Sequence, residues 1–409
     1  MRLLRNVSRY IIAVVFIFSG FVKAIDPLGS MYKFNDYFDA FHMDFLNNLS
    51  LVLAILLSST EIVIGLCLFL KIKMKEVAWA LFIFMGAFTV LTLILALTNP
   101  VSDCGCFGDA LILTNWQTFY KNLIFLVPTL VVFFERNRFR HSFKPAAEWV
   151  LTGGLFVIAV ILSVFSLANL PMMDFRPYHV GANIPAGMEI PEGMPLDQYE
   201  TILVYEKEGV QKEFSLDAPE QPWNDSSWTW VETQNKLVSK GYEPPIHDFS
   251  LTSSEGIDYT DQLLADEGYS LLIVAHDLEK MNESGLERVN RFVARTIENG
   301  FKAYGMSASL PEVVMSIEET YQPPYSFHTT DDITLKTMIR SNPGVMLIKE
   351  GTILAKWHHR NIPDEDFFSE QSLSYALSDQ NRIKKDYLSL VVMLVIALLG
   401  VVVYLFRRI

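Results

Sequence analysis

The run Val101-Ser102-Asp103-Cys104-Gly105-Cys106-Phe107-Gly108-Asp109 decides how this chain is read. It lies between two apolar stretches of membrane length. It carries two of the three cysteines, separated by a single glycine. The reading turns on which side of a membrane the loop faces, and on what could exchange electrons with it.

An apolar run of about 20 residues crosses a bilayer as a helix. Six such runs are present, at 7–25, 49–70, 76–98, 116–134, 149–170 and 387–406. The first follows Arg2, Arg5 and Arg9 but lacks a small-residue cleavage site, so it reads as a retained span. Basic residues in short loops set orientation. They fall at the N-terminus, at Lys71, Lys73 and Lys75, at Arg136, Arg138, Arg140 and Lys144, and at Arg407-Arg408. This alternation predicts both termini in the cytoplasm and the segments 26–48, 99–115 and 171–386 outside. Lys384 and Lys385 sit on the wrong side, beside a long translocated segment where the rule is weak. The cysteine loop then faces a compartment where disulfides persist.

The totals agree with a membrane part joined to an acidic soluble part. Of 409 residues, 51% are hydrophobic, yet the net charge is −13, so the acid is concentrated away from the spans. Such a chain lacks the basic footprint that nucleic acids require. Three cysteines cannot build a disulfide framework.

Inside the spans, Ser19 and Gly20 are small enough to admit a neighbouring helix. Lys23 can snorkel at the outer boundary. Glu61 lies mid-span, where a carboxylate must face the bundle interior or water; it reads as a structural hydrogen-bonding group or as a proton carrier. Cys67, between Leu66 and Leu68, reads as a small buried hydrophobe.

Beyond the fifth span the composition changes. Residues 171–243 are rich in Pro, Gly, Met and Trp, with a hairpin turning at Glu208-Gly209, and read as a linker or small β subdomain. Trp223, Trp228 and Trp230 either pack that subdomain or form a recognition surface. From 244 to 375 the pattern predicts strands at 269–275 and 301–306, helices at 283–299, 311–321 and 333–340, and a terminal hairpin at 345–348 and 353–357. That is an α/β domain with a mixed sheet. His358 and His359 would point to opposite faces of a strand, unsuited to sharing a metal.

Residues 1–135 resemble the MauE/DoxX group of redox-associated membrane proteins. The resemblance rests on Phe18-Ser19-Gly20-Phe21-Val22-Lys23 with Asp26-Pro27, on Glu61, and on Cys104-Gly105-Cys106-Phe107-Gly108. It implies a four-helix membrane bundle in a bacterial inner membrane. It also implies a link to the maturation of disulfide-rich partners or to quinone-linked sulfur chemistry. Residues 136–170 would add a fifth helix and 387–406 a sixth. The 244–375 segment resembles a thioredoxin-like domain on the periplasmic side. Pro245–Leu251 resembles its lead-in strand, and Ser341-Asn342-Pro343-Gly344 its cis-proline turn, which makes Pro343 a structural residue. The domain departs from redox-active relatives at one point: Leu278 and Met281 stand where Cys-x-x-Cys would be. The resemblance also implies a groove beside the cis-proline where an extended client could dock by strand addition.

Thiol–disulfide exchange needs a thiolate and an accessible partner. Cys104 and Cys106 are the candidate redox pair, with Glu61 a candidate for proton handling and a membrane quinone a candidate electron sink. No Lys, Arg or His lies in the loop to favour a thiolate, and Asp103 and Asp109 would oppose one; Lys121 is the closest cation in sequence. Three other readings of the pair stay open: a structural staple, a two-thiolate site for a soft metal, and a bond to another chain. The partners expected are the bilayer and an extracytoplasmic client protein with thiols. At the level of the whole chain, a redox relay stands against a non-catalytic assembly factor.

Overall fold

The protein is described by a computed structural model covering residues 2–139, 143–216 and 222–363, with isolated positions between 385 and 400. The expected sixth span, 387–406, lies mostly outside the described residues.

The N-terminal part is helical: α1 (Arg2–Ile25), α2 (Pro27–Ala40), α3 (Ser50–Leu70), α4 (Met74–Thr98), α5 (Asn115–Phe134) and α6 (Pro145–Ala168). Among the described residues, five helices are long and apolar enough to cross a membrane: α1, α3 with its lead-in turn from Asp44, α4, α5 and α6. Two glycines set the closest helix pair. A Cβ on Gly20 would lie 2.7 Å from the Ile62 nitrogen and the Ser58 carbonyl oxygen on α3. A Cβ on Gly65 would lie 2.7 Å from the Ile17 nitrogen on α1. Each helix thus presses its backbone into a glycine of the other, the contact that small residues permit in membranes. At the opposite end of α1, Arg9 is fully buried and donates from Nη1 to the Leu68 and Phe69 carbonyls. A cation there satisfies the orphan carbonyls and negative end of α3.

Helix α2 is not a membrane span. Asp26 caps it, its Oδ1 accepting from the Gly29 N–H at 2.9 Å, and Pro27 occupies its first turn. A proline there gives up an N–H that has no helical partner in any case. The sequence reading placed 26–48 outside as one segment and marked no helix in it; the apolar and polar positions of α2 are too mixed to show a single stripe.

Residues Asn183–Phe249 form a compact unit of their own. It contains α7 (Ile184–Met188) and a sheet of β1 (Gln198–Lys207), β2 (Val210–Ser215) and β3 (Thr229–Ser239) in the order β2-β1-β3, all antiparallel. The β1–β2 turn uses Glu208 and Gly209, both at positive φ. Trp228 packs edge-on against Phe214 at 5.1 Å, whereas Trp223 and Trp230 stay exposed.

The remaining elements are α8 (Thr260–Leu264), β4 (Tyr269–Val274), α9 (Glu283–Glu298), β5 (Lys302–Ser307), α10 (Pro311–Tyr321), β6 (Phe327–Thr329), α11 (Asp332–Met338), β7 (Gly344–Lys349) and β8 (Thr352–His358). The sheet order is β6-β5-β4-β7-β8, with β4, β5 and β6 parallel and β7 and β8 antiparallel. A cis Asn342–Pro343 bond precedes β7. This is a thioredoxin-like arrangement. Its core packs Leu286, Val289 and Val293 of α9 onto Leu271, Ile273, Val345 and Trp357. Leu278 and Met281 are buried in the same cluster, so these side chains act as packing groups.

One expectation about this domain needs correction. Pro245–Leu251 forms no strand; the edge position falls to the short β6, which the composition did not mark. The sheet edges also carry this chain's own backbone. Thr252 exchanges both backbone bonds with Thr329 on β6, at 3.2 and 2.7 Å. On the other edge, Gly181 and Ala182 bond both sides of Ile353 on β8, at 2.8 and 2.9 Å. Donors and acceptors that strand addition would use at these positions are already satisfied.

Candidate functional site: the cysteine loop and its buried ion pair

The loop between α4 and α5 is shaped by its glycines. Gly105 and Gly108 take φ of +60° and +51°, a region L side chains rarely enter, and the Gly108 N–H closes the turn on the Gly105 carbonyl at 3.0 Å. Thr114 then starts α5 through a reciprocal capping box with Gln117. Cys104 and Cys106 are joined as a disulfide within this turn. Cys67 lies apart, buried in α3 with its Sγ 3.7 Å from Thr152 Oγ1.

The loop rests on the end of the α1–α3 pair. Lys23 and Glu61 form a buried ion pair, with Lys23 Nζ 2.9 and 2.8 Å from the two carboxylate oxygens. Lys23 is 5% exposed and therefore does not snorkel to the boundary; the buried carboxylate of Glu61 holds it inside the bundle. Ser19 Oγ accepts from Lys23 at 2.8 Å and lies 2.8 Å from both Glu61 Oε2 and the Cys106 carbonyl oxygen. A hydroxyl has one proton to give, so Glu61 and the Cys106 carbonyl compete for it.

Both aspartates that flank the cysteines are neutralised by residues distant in sequence. Lys33 of α2 pairs with Asp103 at 2.6 Å. Arg340, from the thioredoxin-like domain, reaches Asp109 at 3.1 Å. Burial pushes the Asp109 carboxyl up, and the Arg340 guanidinium opposes that shift. Tyr37 of α2 donates to the Cys104 carbonyl at 2.6 Å. The loop itself holds no Lys, Arg or His, as its sequence says, and cations reach it from elsewhere in the chain. The cations come from α2 and from residue 340, which no local spacing reveals.

Lys121, on α5, lies 4.3 Å from the Phe107 ring centroid. With Ser19, Glu61, Cys106, Phe84 and Phe125 it lines a pocket of about 420 Å³, counting its open mouth. An apolar, aromatic wall with a few convergent polar groups is the usual form of a small-molecule site.

The two histidines behave differently from expectation. His359 lies beyond the end of β8, so strand alternation does not apply, and its ring lies tilted beside that of His358 with centroids 4.1 Å apart. His359 Nδ1 pairs with Ser341 Oγ at 3.1 Å. Among the described residues, no group of three or more His, Cys, Asp or Glu side chains is placed to hold a metal ion.

Fold and site together define a class: a helical membrane bundle with a Cys-Gly-Cys loop, continued by a thioredoxin-like α/β domain. Residues 1–135 match the family described as Methylamine utilisation protein MauE, and residues 199–240 match a domain family of unknown function. Among curated proteins, none matches the chain at a significant level. Solved structures similar to parts of the chain include a candidate protein disulfide isomerase from Bacteroides thetaiotaomicron. It is 14% identical, covering 34% of this chain and 86% of that one, with a TM-score of 0.24. Another is peroxidoxin BcpB from Mycobacterium tuberculosis, 14% identical, covering 33% and 93%, with a TM-score of 0.22.

Proposed function

We propose that this membrane protein relays electrons between thiols and the bilayer through Cys104 and Cys106 on its extracytoplasmic face, in the service of envelope protein maturation. The observation that carries the reading is the bond between Ser19 and the Cys106 carbonyl. It joins the cysteine loop to the buried Lys23–Glu61 pair.

In the first step a client dithiol reduces the loop disulfide. The client gains a disulfide, and Cys104 and Cys106 become thiols. In the second step the two thiols close again, releasing two electrons and two protons. The pocket beside Cys106 suits an aromatic acceptor that also takes protons, because Phe84 and Phe125 line it together with Lys121 and Ser19. A membrane quinone would supply the two-electron sink there. Glu61 and Lys23 would take up and pass on the released protons, and Ser19 orients the loop carbonyl over them.

A second reading, a non-catalytic assembly factor, draws on one observation. Leu278 and Met281 are core residues, and the sequence places no cysteine in the thioredoxin-like domain. Both readings agree that this domain acts by contact.

The test uses the full chain in lipid nanodiscs, with the loop reduced and a water-soluble ubiquinone analogue added. Loss of quinone absorbance matched by re-formation of the Cys104–Cys106 disulfide, and absent in Cys106→Ser, is expected. A reduced loop that leaves the quinone untouched would contradict the proposed electron sink.

A further inference from the structure

The corner of the thioredoxin-like domain where redox-active relatives carry cysteines faces its own membrane part. His276, two residues beyond the end of β4, packs edge-on to Tyr32 of α2, with centroids 6.4 Å apart. Asn342 closes the corner internally: its side chain donates to the Asp277 carbonyl at 2.6 Å, and its carbonyl accepts from the Asn282 N–H at 3.0 Å. Arg340 stands two residues before the cis bond, and its side chain is 7% exposed. Its Nε lies 3.0 and 2.9 Å from the two Asp26 oxygens, its Nη2 lies 3.1 Å from Asp109, and its Nη1 donates to the Lys336 carbonyl.

Helix α2 is the bracket between the two parts. Lys33 and Tyr37, one helical turn apart, hold the cysteine loop from Asp103 and the Cys104 carbonyl. Asp26 caps the same helix and binds Arg340. Arg340 then holds the far flank of the loop through Asp109. Gly29 makes this passage possible, because a Cβ there would lie 2.8 Å from Arg340 Nη2. The loop is thus gripped on both sides of the disulfide, on one side by a residue 231 positions away.

From this geometry, and resting on the relay reading above, we propose that Arg340 is a positioning residue for thiol–disulfide exchange. It reaches from the thioredoxin-like domain to fix the Cys104–Cys106 loop against α2 and to offset the negative charge of Asp109. The domain then serves the loop of its own chain, and a client would approach the loop without first occupying the cis-proline corner.

Offsetting a carboxylate beside a thiol favours the thiolate, the reactive form. Removing Arg340 should therefore move thiol reactivity to higher pH, which loosened packing alone would not do. The experiment reduces full-length protein in nanodiscs, in a Cys67→Ser background, and follows alkylation by iodoacetamide across the neutral and alkaline range, together with the melting temperature. Arg340→Gln is expected to shift the profile up by about half a unit, which is roughly threefold slower reaction at neutral pH. Arg340→Lys should restore most of the rate. Gly29→Ala keeps every charge and crowds the guanidinium, so it should shift the profile the same way by less, and with Arg340→Lys it carries the test should Arg340→Gln fail to fold. Overlapping profiles with a lowered melting temperature would overturn the proposal and leave Arg340 a domain tie only. A wild-type pair that resists reduction altogether would overturn the relay reading, and the proposal with it.

Discussion

Lys23 and Glu61 show why single residues in a membrane must be judged with their partners. Each alone would be an expensive charge, and together, with Ser19, they form a satisfied cluster at the base of the cysteine loop. Breaking a buried pair from one side leaves the other charge uncompensated, at a cost of about 3–5 kcal/mol. Lys23→Met should therefore lower the melting temperature of the purified protein sharply, and the Lys23→Met, Glu61→Gln double variant should recover most of the loss. A double variant no more stable than Lys23→Met would show that the pair is not what holds the two helices there. The sequence placed Glu61 in the membrane but could not name Lys23 as its partner, because 38 positions separate them and the pairing depends on how α1 meets α3.

At the scale of elements, periodic segments were legible and irregular ones were not. Helix α9 declared itself through Leu286, Val289 and Val293 on one stripe, and β4 through its uninterrupted apolar run. Helix α2 and strand β6 stayed hidden. The first has a mixed surface because it touches loop, bundle and soluble domain at once; the second has three residues and exists because β5 offers an edge. The α1–α3 contact was readable in part, since Ser19-Gly20 signalled a close approach, whereas Gly65 drew no attention until its partner helix was in place. Gly20→Val would drive a side chain into the backbone of α3. It should reduce the yield of folded protein, measured as the monodisperse fraction after extraction in mild detergent, far more than Gly86→Val, where a Cβ meets nothing within 4 Å. Equal yields would contradict the close packing of α1 on α3.

For the whole molecule, the sequence separated a membrane part from an α/β part and picked out Cys104 and Cys106. It treated the two parts as tethered neighbours. The structure joins them through Arg340 to Asp26 and Asp109, through Arg176 donating to the Thr337 carbonyl at 3.0 Å, and through Lys356 to Asp174 at 2.8 Å. Lys356 and Arg176 together hold the Asp174 carboxyl well below the usual carboxylate range, overcoming the opposing effect of burial. Such contacts link residues more than 150 positions apart, and no local pattern encodes them. The domain is tied down in this way and its sequence holds no cysteine, so the proposed relay would turn on Cys104 and Cys106. The measurement that reaches this claim most directly is the redox state of Cys104 and Cys106 in living cells, trapped by acid quenching and thiol alkylation before and after a brief pulse of reductant. A working relay predicts a mixed population at rest that turns reduced in the pulse and reoxidises within minutes, more slowly when respiratory quinones are depleted. A pair that stays fully oxidised throughout would contradict it and make the bond a structural staple.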